Sequence, residues 1–216
     1  PRLGRCDIGS YEYDPAYDPL TYTFLPVVAR NYCLPLYADD FSDPTSGWPI
    51  ADDVNIRYEY LDSEYRILVK NTNWSAGARP GFKAPDYVVA VDVRNATGVY
   101  GSYGIIFGLS DDWTQFYSFE IHPDGGYAIW RYDSSSGWTL LWSGSSGYIN
   151  PGTATNRLKI ERNGSLINAY ANGQLLTSVS DGSYTGLRHV GLTVSSYDQP
   201  NVDARFDNFT VYPAAC

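Results

Sequence analysis

The residues able to do chemistry are few, and their spacing is uncooperative. Glu59, Asp62 and Glu64 crowd into "YEYLDSEY", Glu120 and His122 lie two apart in "FYSFEIHP", and His189 is the only other histidine. Hydrolysis of a glycosidic bond needs two carboxyl groups held a short, defined distance apart. Glu59 and Glu64 are an odd number of residues apart, so on one regular strand they face opposite sides. Glu120 and His122 do share a face, with Trp130 and Tyr132 expected on the partner strand. That arrangement reads as the exposed polar face of a sheet, and His189 as pointing outward from "RHVGLTV". No G-x-S-x-G, Cys/His pair or metalloprotease helix occurs, and an enzyme is not expected.

Sugar binding asks for different groups. The C–H faces of a sugar stack on exposed aromatic rings while its hydroxyls meet Asp, Asn or Arg in the same patch. Trp113 beside Asp111 and Asp112 in "SDDWTQ" is the leading loop candidate, followed by Trp130, Tyr132, Trp138 and Trp142, and by Tyr197 in "SSYDQP". Against this stands the ordinary fate of aromatics in a sandwich, which is to fill the core or pair across strands.

The 216 residues carry a formal charge of −9, with no basic stripe. That excludes nucleic acid as a partner and disfavours anionic lipid. No apolar run reaches the length of a membrane span, so no membrane insertion is expected. Cys6, Cys33 and Cys216 match no metal spacing, and an odd number of cysteines leaves one thiol over. A Cys33–Cys216 bridge is favoured, with Cys6 left for an intermolecular link; a Cys6–Cys33 bridge that frees Cys216 is the alternative. The start at Pro1, without an apolar leader, together with the Tyr-, Ser- and Gly-rich surface, suggests a secreted, extracellular protein of a cell surface. Sequons at Asn73, Asn95, Asn163 and Asn208 discriminate nothing by themselves.

The elements that must position these residues are short strands. "DYVVAVDVR" puts Val89, Val91 and Val93 on one face, and "YGIIFGL" does the same with Tyr103, Ile105 and Phe107. "FYSFEIHPDGGYAIWRYD" reads as two strands joined at Asp124-Gly125. "RLKIERNGSLINAYANGQLLTSVSD" reads as a three-strand meander turning at Asn163-Gly164 and Asn172-Gly173, because Asn-Gly supplies the positive φ of a type I′ turn. "HVGLTV" and "ARFDNFTVY" close the chain. With 20 tyrosines, no methionine and no capped helical period, the fold class is all-β, an antiparallel two-sheet sandwich or jelly roll. Phe206 and Phe209 cannot share one face of a regular strand, so Asp207-Asn208 is expected to bulge.

The order "DDFSDPTSGW", "EYRILV", "GSYGIIFG", "FYSFEIHPDGGYAIWR", "NRLKIERNGSLINAYANGQLL", "GLRHVGLTV", "ARFDNFTVY" resembles the concanavalin A-like lectin/glucanase superfamily. It is most similar to the laminin-G-like and family-16-glucanase-like jelly rolls of secreted bacterial proteins, over about residues 39–212. The resemblance implies first and last strands side by side and a structural calcium ion between them, here at Asp40 and Asp207. It also implies, for a retaining glucanase, an E-x-D-x-x-E strand that this sequence lacks.

Domain organisation follows: residues 1–37 as an extended N-terminal arm, residues 38–216 as the concanavalin A-like jelly roll. The arm holds an apolar, β-prone segment over residues 21–30, with Tyr22, Phe24, Leu25, Val27 and Val28 as its contact residues. Such a segment would cover its own sandwich or complete the sheet edge of another copy. The leading expectation is therefore a non-catalytic structural subunit that self-assembles through the arm into a filament or sheath. A carbohydrate-binding or adhesion module is the alternative, and a glycoside hydrolase the remote one.

Overall fold

The computed structural model describes residues 33–214. The assembling segment with Tyr22, Phe24, Leu25, Val27 and Val28 therefore lies outside the described residues, as do Cys6 and Cys216 and with them the cysteine pairing. Among the described residues there is no helix, and none that could cross a membrane.

Sixteen strands follow one another: β1 (Tyr37–Asp39), β2 (Ala51–Asp52), β3 (Ile56–Leu61), β4 (Glu64–Val69), β5 (Ser75–Ala78), β6 (Lys83–Ala84), β7 (Tyr87–Asn95) and β8 (Gly101–Leu109). Then come β9 (Gln115–Ile121), β10 (Gly126–Asp133), β11 (Gly137–Ser145), β12 (Asn156–Asn163), β13 (Leu166–Ala171), β14 (Gln174–Ser180), β15 (Arg188–Ser196) and β16 (Val202–Pro213). They form two antiparallel sheets. One runs β14-β13-β12-β7-β16-β4-β3-β2, with β1 also paired to β16; the other runs β11-β10-β9-β8-β15-β5, with β6 also on β15. The core lies between them. Val89, Val91 and Val93 meet Tyr103, Ile105 and Phe107 there, all 1 % exposed or less, as alternation along a half-buried strand demands.

Local chemistry sets the corners. Asn172 and Gly173 both have positive φ (51° and 80°) and form the expected two-residue turn. The preceding corner is shifted by one residue. Asn163 pairs with Leu166, so the loop is Gly164-Ser165, with only Gly164 at positive φ (57°). Glycine first in the loop is the type II′ preference, which outcompetes the Asn-Gly alternative. The acidic cluster at residues 59–64 also proves to be a corner. Asp62 and Ser63 take φ of 57° and 61°, and Leu61 pairs with Glu64. Glu59 and Glu64 therefore belong to different strands.

Long β16 holds the first sheet together. Its early half pairs with β4, its late half with β1, and β7 flanks both. The register slips between Asp207 and Thr210, with Asn208 at φ 52°, so Phe206 and Phe209 are both fully buried. The bulge expected from those two phenylalanines is present. At the end of β7, Asn95 is fully buried, accepts from the Thr97 and Gly98 amides and donates to the Val99 carbonyl.

The outer faces of the two sheets differ in chemistry. On the β16 sheet a ladder of alternating charges runs Asp52–Arg57–Glu59–Arg66–Asp203–Arg205–Glu64–Arg94, with separations of 2.5–4.0 Å. On the β15 sheet many outward residues of the central strands are small or hydroxylated, among them Ser102 and Gly104 on β8, Ser118 on β9, and Thr193 and Ser195 on β15, beside Ile106, Phe116 and Glu120.

Candidate functional site

Along β9 the outward residues are Phe116, Ser118 and Glu120, and His122 follows in the next turn. The middle of this stripe is closed to solvent: Ser102 and Ser118 are fully buried and Glu120 is 5 % exposed, its carboxylate accepting the Ser102 hydroxyl. Access lies at the two ends.

At one end His122 stacks on Tyr100 (centroids 5.5 Å, planes 21° apart) and on Tyr197 (5.9 Å, 21°). Tyr100 and Tyr197 are 6.0 Å apart. These rings, with Asn73, Asp198 and Gln199, line a cavity of about 490 Å³. The loops are fixed by backbone bonds, the Asn73 amide to the Tyr197 carbonyl at 2.8 Å and the Ser196 amide to the Trp74 carbonyl at 2.8 Å. Tyr100 and Tyr197 remain 46 % and 37 % exposed. Burial pushes the His122 imidazole down from its ordinary value of 6.5, against the pull of Glu120 and Asp124, and its Nδ1 is buried with no hydrogen-bond partner. The neutral ring prevails, because desolvation penalises the charged form most. Flat rings, two amides and a carboxylate thus converge on one concavity.

At the other end Phe116, Trp130, Tyr132 and Trp138 form a cluster. Phe116 stacks on Tyr132 at 4.9 Å, and Trp138 packs edge-on against Phe116 (5.4 Å) and Trp130 (6.2 Å). Pairing of β10 with β9 and β11 brings them together. Trp142, across from Ile129, instead donates its indole N–H to the Tyr127 hydroxyl at 3.2 Å.

The other sequence candidates are placed apart from both ends. Trp113, at φ 63°, lies over β5: a Cβ on Gly77 would stand 2.7 Å from its ring, and Arg79 sits 5.4 Å from the ring centroid. Asp112 caps its own turn through Ser110 and Thr114, and its carboxyl falls to about 2 as a result. Asp111 binds Lys83 at 2.6 Å and the His189 Nε2 at 2.8 Å. His189 does not point freely into solvent: it is 5 % exposed, with Nδ1 2.9 Å from the Phe82 carbonyl. Of the six candidate residues, Trp130 and Tyr132 meet each other's cluster, Tyr197 sits in the cavity, and Asp111, Asp112 and Trp113 form a third locality. Tyr100, which carried no local signal, and His122, read from the sequence with Glu120 as part of an exposed polar face, complete the cavity.

The acidic flank is where a cation was expected. Asp40 accepts the Ser42 amide (3.1 Å) and hydroxyl (2.6 Å), the work of a turn cap. Burial pushes the Asp207 carboxyl up, the Asn208 amide opposes this, and Asp92, Glu64 and Asp40 add to the rise. The carbonyl exposed by the bulge, that of Asn208, is already engaged by the Arg157 guanidinium at 2.7 Å, which also reaches Thr210 at 3.1 Å and Asp92 at 3.4 Å. Among the described residues no three His, Cys, Asp or Glu side chains converge on one point. Asp40 and Asp207 offer hard oxygens, but the donor set is thin and a fixed cation stands beside it.

No protein-family model and no curated protein matches the sequence. Solved structures do. The carbohydrate-binding module CBM66 from Bacillus subtilis superposes with a TM-score of 0.63 at 14 % identity, over 77 % of this chain and 96 % of that one. A Bacillus licheniformis beta-glucanase gives 0.58 at 13 %, over 82 % and 97 %. The fold is a concanavalin A-like jelly roll. A protein with a galectin-like fold from Bacillus subtilis gives 0.63 at 12 %, over 83 % and 96 %. At such identities the likeness carries the architecture alone, and this architecture serves binding modules and glycoside hydrolases alike.

Proposed function

We propose that this jelly roll is a non-catalytic glycan-binding module of a secreted protein, and that its ligand enters the Tyr100–His122–Tyr197 cavity. One observation carries the reading: half-exposed, stacked rings share a concavity with Asn73, Asp198 and Gln199. The rings would take the apolar face of a sugar and the amides and carboxylate its hydroxyls. The carbohydrate-binding module and the beta-glucanase among the similar structures favour the same ligand class. Calorimetry against a panel of neutral oligosaccharides tests it. Tyr197→Ala and Tyr100→Ala are expected to weaken binding at least tenfold, and Trp113→Ala to leave it unchanged. Silence across the panel, or loss on Trp113→Ala alone, would sink the proposal. Turnover abolished by Glu120→Gln would overturn its non-catalytic part.

The calcium ion stays a proposal with Asp40 and Asp207 as its carboxylates. Because Arg157 already serves the bulge, the ion would bind weakly. Millimolar calcium is expected to raise the melting temperature by no more than a few degrees, and Asp207→Asn to abolish that rise. Assembly through the N-terminal arm rests on residues outside those described, and a chain lacking residues 1–35 tests it by its state in solution.

A further inference from the structure

The Tyr100–His122–Tyr197 cavity is electrically one-sided. Its lining holds the Asp198 carboxylate and, among the described residues, no lysine or arginine. Lys70, the basic residue nearest in sequence to Asn73, is turned instead to Asp52 and to the Asp53 carbonyl. Two more carboxylates stand behind the rings. Asp124 accepts the Tyr100 hydroxyl at 3.4 Å. Glu120, nearly closed to solvent, accepts the Ser102 hydroxyl and forms no ion pair among the described residues. Ser102 gives its one proton to Glu120, so it offers a lone pair to the Tyr197 hydroxyl beside it. Both tyrosines therefore donate toward a carboxylate, Tyr100 directly and Tyr197 through Ser102. Hydrogen bonds in such a chain polarise one another, and a phenol that donates toward an anion gains electron density in its ring. Burial pushes both phenols up, Asp124 adds to the rise at Tyr100, and Glu120 adds to it at Tyr197 against the pull of Ser102.

We infer that this cavity selects a sugar bearing a free ammonium group, an amino sugar, over neutral and acidic sugars. The inference rests on the glycan-binding reading above and adds to it the charge of the ligand. The face of an aromatic ring is the negative side of its quadrupole, and a cation held against it gains more as the site dries. Here two half-exposed rings, each wired to a carboxylate, share the concavity with Asp198, which an ammonium can meet in a charge-assisted hydrogen bond. A neutral sugar gains stacking and ordinary hydroxyl bonds but none of this. A uronic acid meets three carboxylates, no cation to pair with, and a chain of net charge −9.

Calorimetry on the full chain is the test, with a glucosamine trisaccharide set beside the glucose trisaccharide of the same linkage and a galacturonic acid trisaccharide. The first two differ in amino against hydroxyl groups alone, and the amine is kept protonated. The glucosamine form is expected to bind at least tenfold more tightly than the glucose form, with the preference shrinking as salt is added, and the galacturonic acid form is expected not to bind. Asp198→Asn and Glu120→Gln are each expected to lower the ratio of the first two affinities, which a merely structural loss would leave unchanged. Far-ultraviolet circular dichroism checks folding, and Asp198→Asn, at an exposed loop position, carries this arm if the buried Glu120→Gln does not fold. Equal affinities, a tighter glucose or galacturonic acid complex, or a ratio indifferent to the variants overturns the inference and leaves the glycan reading standing. Silence toward all three, with the neutral panel silent as well, sinks both.

Discussion

Asn208 shows how much one backbone angle settles. At φ 52° it lets β16 slip by a residue, which sends Phe206 and Phe209 into the same core and turns the Asn208 carbonyl toward Arg157. A β-branched residue cannot hold that angle cheaply; the left-handed region costs an L-residue roughly 1–2 kcal/mol. Asn208→Val is therefore expected to lower stability by about that amount in urea titration, whereas Asn208→Gly stays near the parent. Equal losses for both would mean that the bond from the Asn208 side-chain amide to the Asp92 carboxylate (2.9 Å), not the angle, is what matters. The bulge was legible because two buried residues three apart contradict a strand period of two. The fate of Trp113 was not, because it depends on Gly77, a residue of another strand whose missing side chain makes room for the indole. Tyr100 escaped for the same reason, and His122, singled out beside Glu120, was set aside as part of an exposed polar face because its stacking on Tyr100 and Tyr197 appears only in the tertiary fold.

At the scale of elements, turn chemistry decides what can be read. The Asn172-Gly173 corner followed from its residues, since both φ angles there are positive and both residue types tolerate it. Asp62-Ser63 adopts the same geometry without a glycine, so "LDSE" announces acidity rather than a hairpin, and the two glutamates were misassigned to one strand. A repair should stabilise. Asp62→Asn with Ser63→Gly relieves left-handed strain, offset in part by the extra freedom of glycine in the unfolded chain, for a net gain of about 0.5 kcal/mol. A rise in the denaturation midpoint with an unchanged slope checks this; a fall would show that the Asp62 side chain stabilises the corner in some other way.

For the whole molecule, sidedness is the dominant property: a charge ladder covers one outer face, and small and aromatic residues much of the other. Its response to acid follows from where protons are excluded. His122 and His189, both held neutral by burial, let the unfolded chain take up protons first as the pH falls below their ordinary value of 6.5, so stability declines from there downward. Asp52, Asp112 and Asp133, held at about 2 by their hydrogen bonds, contribute stability above about 3.8 that disappears as the pH falls toward 2. Asp207, whose carboxyl is pushed up, runs weakly the other way. The melting temperature is expected to be flat from pH 8 to 7, to slip below 6.5 and to drop steeply below 4. His122→Phe, which keeps the stack, should remove its share of the first decline and leave that of His189, and a melting temperature that climbs from pH 7 to 5 would refute the account. The buried amide of Asn95 adds a constraint of a different kind. It heads an Asn-Ala-Thr sequon, and in the folded molecule all its hydrogen-bonding capacity faces inward. A cell that attaches sugars to nascent chains would modify that side chain before β7 closes, and a branched glycan has no place in the loop it caps. The choice of production host thus selects which of two covalent molecules ever meets the folding problem, and only the unmodified one can solve it this way.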